Sequence, residues 1–82
     1  MNIIKIPINN KLIVAFYGYD NNTIDILELT KKHMNNLLKY TISNKTFKED
    51  PYPDMKKYAV FIFESGDKYI INENDIVEFI KI

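Results

Sequence analysis

The stretch 58–82, YAVFIFESGDKYIINENDIVEFIKI, constrains the fold more than any other part of the chain. Residues 58–63 are six apolar positions in a row, rich in β-branched and aromatic side chains, which predicts a strand apolar on both faces. Glu64-Ser65-Gly66-Asp67 then supplies a turn, because Gly66 tolerates positive φ while Ser65 and Asp67 bond to nearby backbone. Residues 68–71 run back as a second strand, making an antiparallel hairpin the natural pairing. Asn72-Glu73-Asn74-Asp75 is a polar break, and residues 76–82 form a closing strand. This pattern speaks of architecture and says nothing of chemistry.

The rest of the chain supplies four more elements. Residues 3–8 alternate, and Pro7, with no N–H to give a ladder, puts that strand at a sheet edge. Asn9-Asn10 links it to residues 11–19, whose two faces, Leu12/Val14/Phe16 and Ile13/Ala15/Tyr17, are both apolar. Gly18 marks a bulge or sharp bend there. Asp20-Asn21-Asn22 turns the chain into residues 23–29, a strand with Asp25 and Glu28 among its apolar residues and so expected to be exposed on one side. The period then changes to that of a helix over residues 30–42, with Met34, Leu37, Leu38 and Thr41 in one stripe. Thr30 is the expected N-cap. Met34, Leu37 and Leu38 are expected to be buried, and Lys31, Lys32 and Lys39 to lie in water. Residues 45–56 form a loop stiffened by Pro51-Tyr52-Pro53.

The expected order is therefore β-β-β-α, a loop, then β-β-β, in one α+β, strand-rich domain spanning residues 1–82. Two architectures fit five to six short strands and one amphipathic helix: a small antiparallel barrel, or a curled sheet with the helix across one face. Residues 67–82, a short polar turn before a last strand, resemble the end of an SH3-like barrel. That resemblance implies an architecture only.

Composition narrows the setting. No cysteine is present, so disulfides and thiolate metal sites are excluded. No apolar run reaches the ~18 residues of a membrane span, and the short apolar start carries Lys5 and Pro7 without a small-residue cleavage site. A cytoplasmic protein is expected. All eleven cations are lysine, and Ile and Asn are abundant, as an A/T-rich genome of a bacterium, phage or plasmid would produce. The net charge is zero but uneven: the middle segment, residues 30–57, is basic, and the last third is acidic.

Catalysis has few candidates. His33 is the single histidine, and positions 29, 30, 36 and 37 around it hold no carboxylate. The acids Glu49, Asp50, Asp54, Glu64, Asp67, Glu73 and Asp75 fall in turns, where solvated carboxylates are common. Asp20-Asn21-Asn22 and residues 72–75 do not match the twelve-residue calcium loop. Gly18 and Gly66 are too far apart for a phosphate-binding loop. An enzyme is not expected, nor is a cofactor, metal or small-molecule substrate.

Two binding readings remain. In the first, the domain binds a protein partner or a second copy of itself, as a regulatory subunit, immunity-like factor or phage inhibitor would. Eleven aromatics, six of them tyrosine, exceed what one thin core needs, and such residues are favoured at interface centres. The expected contact residues are Tyr52, Phe61, Phe63, Tyr69 and Phe79. Behind this lies a register argument: Tyr58, Val60 and Ile62 point one way and Ala59, Phe61 and Phe63 the other, so one set reaches the surface. The alternative reading is nucleic-acid binding through Lys31, Lys32, Lys39, Lys45 and Lys48, with Tyr52 and nearby Tyr40, Phe47 and Tyr58 stacking on bases. Lys56 and Lys57 belong to the same basic segment.

Overall fold

The computed structural model describes residues 2–82. Two sheets pack against each other with one helix. The first holds β1 (Ile3–Ile8), β7 (Ile76–Lys81) and β4 (Tyr40–Thr41), with β7 in the centre. The second runs in the order β3 (Asn22–Asp25), β2 (Leu12–Tyr19), β5 (Tyr58–Phe63) and β6 (Lys68–Asn72). Helix α1 is Leu27–Asn35, and α2, Asn44–Phe47, is a single turn. The molecule is thus α+β and strand-rich. Its ladders form two sheets rather than one closed ring, and among the described residues seven strands are found where five to six were expected.

The hairpin of β5 and β6 forms where its turn residues put it, with Phe61 opposite Tyr69 and Val60 opposite Ile70. Strand β2, apolar on both faces, is flanked by β3 and β5. Pro7 sits on an edge strand, as its missing N–H requires. One pairing departs from expectation: β1 lies parallel to β7, from Ile3 opposite Ile76 to Ile8 opposite Lys81. Alternation in a strand carries its faces but not its direction, so the sequence could not have shown this.

Gly18 is held at φ +152°. A Cβ there would overlap the Asn22 carbonyl oxygen and lie 2.7 Å from Thr23 Cα. Glycine lets β2 and β3 approach this closely.

The helix differs most from its expected form. It starts three residues earlier and ends seven earlier than residues 30–42. Its start signal is Asp25, whose Oδ1 accepts the Leu27 N–H at 2.8 Å. Thr30 is an interior residue, fully buried, with Oγ1 2.8 Å from the Tyr40 hydroxyl. The buried stripe is Ile26, Thr30 and Met34, one residue every four. Leu37 and Leu38, expected in the core, are 50% and 52% exposed. Leu37 takes φ +54° and stops the helix, because Tyr40 and Thr41 must turn back to pair with Val77 and Ile76 on β7. A short strand overrode the helical period.

Between the sheets lie Ile6 from β1, Val77 and Phe79 from β7, Tyr17 from β2, Phe61 and Phe63 from β5, and Ile71 from β6. Phe61 meets Phe79 across the sheets at 6.1 Å between ring centroids. Tyr40 closes one end of this core, with its ring 4.6 Å from His33.

Burial raises the pKa of both Tyr40 and Tyr17 well above the usual 10, and for Tyr17 the nearby Glu73 and Asp50 carboxylates push the same way. A raised folded-state value means that the folded protein holds its proton longer than the unfolded chain. The associated stability is complete below pH 10 and is lost as pH rises beyond it. We expect stability to fall by about 1.4 kcal/mol per pH unit above 10 for each of the two tyrosines. Urea unfolding at stepped alkaline pH measures the slope, and Tyr40→Phe should halve it. An unchanged slope in that variant would show that Tyr40 titrates freely in the folded protein.

Candidate interaction surface

The two faces of β5 have opposite fates. Ala59, Phe61 and Phe63 point into the core, covered by the three-stranded sheet and α1. Tyr58, Val60 and Ile62 point out. The ladders bring three apolar neighbours onto this outer face, with Val14 opposite Ile62 and Phe16 opposite Val60 on β2, and Ile70 opposite Val60 on β6. Val60 is only 2% exposed yet stands outside the core cluster. Phe16 and Ile70, on either side of it, bury it within the face itself. Ile70 is 59% exposed, and Val14 is also exposed.

Polar groups bound this apolar centre. Asp25 lies opposite Phe16 on β3, Lys68 opposite Ile62 and Asn72 opposite Tyr58 on β6. A shallow concavity continues the face over β3, lined by Val14, Phe16, Asp20, Thr23, Asp25 and Leu27. An apolar centre with a polar rim is the anatomy of a protein interface.

Three tyrosines gather at one end of the sheet. Tyr19, exposed at the end of β2, has its ring 5.9 Å from Tyr52 and 6.1 Å edge-on from Tyr58. Tyr52 is held there by its loop. Its N–H donates to Asp50 Oδ1 at 3.2 Å, and its carbonyl accepts from Lys57 Nζ at 3.1 Å.

This arrangement corrects the expected contact residues. Phe61, Phe63 and Phe79 are core residues, and Tyr69 is half-buried with its ring edge-on to Phe63 at 5.8 Å. Of the five, Tyr52 alone belongs to the tyrosine cluster at the surface. The expectation of an apolar surface on one face of β5 stands, but it is the other face, Tyr58, Val60 and Ile62. The sequence carried both sets equally, and Val14, Phe16 and Ile70 join only through register.

The lysines fall on several segments. Lys31 and Lys32 lie on α1, Lys39 before β4, Lys45 on α2 and Lys48 just after it. Lys31 has its ammonium 3.8 Å from Glu28. The aromatics expected beside them are largely engaged: Tyr40 is buried, and Phe47 packs on Tyr17 at 4.7 Å. Lys57 is not a surface cation at all. Its side chain is 3% exposed, and Nζ donates to Met55 O at 2.6 Å and Tyr52 O at 3.1 Å and lies 3.0 Å from Asp50 Oδ1. Glu73 Oε1 takes the Lys57 backbone N–H at 2.9 Å. Lys57 therefore clamps the 48–57 loop onto the sheet.

His33 sits on the flank of α1 with Nδ1 3.0 Å from the Leu29 carbonyl oxygen, so Nδ1 carries the proton that donates to it. Among the described residues, no three His, Cys, Asp or Glu side chains converge as a metal site would require. Among them, too, no helix is long and apolar enough to cross a membrane. No family model, curated protein or solved structure matches the chain.

Proposed function

We propose that this domain is a non-enzymatic binding module that presents the outer face of its four-stranded sheet to a protein partner. The observation that carries the reading is the continuous apolar face centred on Val60, with Ile70 59% exposed. Flat apolar faces of this kind, rimmed by polar groups, are the usual mark of an interaction site. Regulation or inhibition of a larger protein is the role that suits a module this small.

The test uses Val14→Glu and Ile62→Glu, both on the outer face. Captures from a lysate of the source cells are compared with those of the parent protein, and unfolding is measured in parallel. We expect at least a tenfold loss of partner binding, equal to about 1.4 kcal/mol, while each variant stays folded. Equal capture by parent and variants would overturn the reading. Salt-sensitive retention on single-stranded nucleic acid, abolished when Lys45 and Lys48 are changed to Glu, would favour the alternative instead.

A further inference from the structure

We propose that the free edge of β6 pairs with the same edge of a second copy of this chain, joining two four-stranded sheets into one of eight strands. This rests on the outer face being an interface and names what adjoins it.

The four edges differ in how they are protected. β1 carries Pro7, β4 is two residues long, and β3 is four residues long with Asp25 at its end. Proline, shortness and charge are the usual defences of an edge against pairing. β6 has five residues and no proline, with its one charge, Lys68, at its first position and an exposed isoleucine at its centre.

Its hydrogen-bonding groups also face the right way. Phe63 N–H donates to Asp67 O at 2.9 Å and Glu73 N–H to Lys57 O at 3.0 Å. Asp67 and Glu73 therefore turn their backbone groups toward β5. An antiparallel ladder alternates, so Lys68, Ile70 and Asn72 turn theirs to the open edge. Asn72 O already accepts the Asp75 N–H at 3.1 Å.

An antiparallel register with its two-fold axis at Ile70 uses every remaining group but the Lys68 N–H, which faces the Asn72 carbonyl already engaged by Asp75. Ile70 exchanges two N–H···O bonds with Ile70 of the second copy. On each side, the Lys68 carbonyl takes the Asn72 N–H. On the outer face the same register sets Ile70 against Ile70 and Lys68 against Asn72, with no like charges facing. The ladder ends where Asp67 would meet Glu73. Both carboxylates are engaged in their own chain, with the Ser65 hydroxyl and the Lys57 N–H respectively. The apolar centre around Val60 then runs on across the axis into its copy, which is why the edge and the face act together.

The chain has no cysteine, so a single one reports position cleanly. Directly paired residues of this kind stand about 5.5 Å apart at Cα, within the range a disulfide spans. Under mild oxidation at micromolar concentration, Ile70→Cys should become a disulfide-linked pair, and Ile80→Cys on β7 should not. In sedimentation equilibrium the parent protein should have twice the mass of one chain. Ile70→Pro should have the mass of one chain with an unchanged circular dichroism spectrum, and Ile70→Lys, which keeps the N–H, should also dissociate. A parent protein that remains a single chain up to about 1 mM overturns the pairing. So does an Ile70→Pro protein that still sediments as a pair. If either occurs while Val14→Glu still loses partner capture, the pairing fails and the binding face stands. If capture is also unchanged in Val14→Glu, both fail.

Discussion

Phe61→Ala should cost about 3–5 kcal/mol of stability, a large share of the ~5–15 kcal/mol that holds a small domain together. Phe61 is completely buried, between Ala15 and Tyr69 in the sheet and 6.1 Å from Phe79 across it. Removing the ring withdraws its own transfer free energy and leaves a void between two sheets. Strands tied into continuous ladders have little freedom to close over such a void. Urea unfolding of the variant gives the loss directly. Val14→Ala, on the outer face of the same sheet, should change stability by less than about 1 kcal/mol. Nearly equal losses at the two positions would mean that the faces of the sheet are assigned the wrong way round.

Lys57→Ala should be nearly as damaging, at about 3–5 kcal/mol, for a different reason. The ammonium is buried and ties together Met55 O, Tyr52 O and Asp50 Oδ1. Without it, two carbonyl groups lose their donor and the Asp50 and Glu73 carboxylates lose their counter-charge. Asp50 is partly exposed, so water offsets its share, and most of the loss comes from the carbonyls and Glu73. Lys57→Met restores the apolar volume but none of the donors and should recover about 1 kcal/mol or less. Hydrogen exchange gives a second readout, since the 48–57 loop should open before the sheets do. Full recovery by methionine would reduce Lys57 to a packing residue. Loss of the clamp should also release Tyr52 from Tyr19, visible as a change in tyrosine fluorescence.

Much of the local structure was legible in the residues. The 58–63 strand, the Gly66 turn and the edge position of Pro7 each follow from short-range sterics and backbone hydrogen bonding, which neighbours in sequence decide; the bulge expected at Gly18 falls instead between Leu12 and Val14. The alternation within β5 also showed that one of its two faces had to remain uncovered. What it could not show was which one. Both sets are apolar, and the choice depends on the three-stranded sheet and α1 lying over Phe61 and Phe63. The helix was placed by its period, and there the sequence misled. Leu37 and Leu38 continue the stripe, but the two-residue pairing of Tyr40 and Thr41 with β7 cut the helix at Asn35 and turned both leucines to water. The same limit governs the binding face. Val14, Phe16, Val60, Ile62 and Ile70 come from three strands and meet only through register. The parallel pairing of the first and last strands, and the burial of Lys57 among its carbonyls, likewise arise from contacts between residues far apart in the chain. Local chemistry chose the elements, and long-range packing, which no short window of sequence contains, chose their faces and partners.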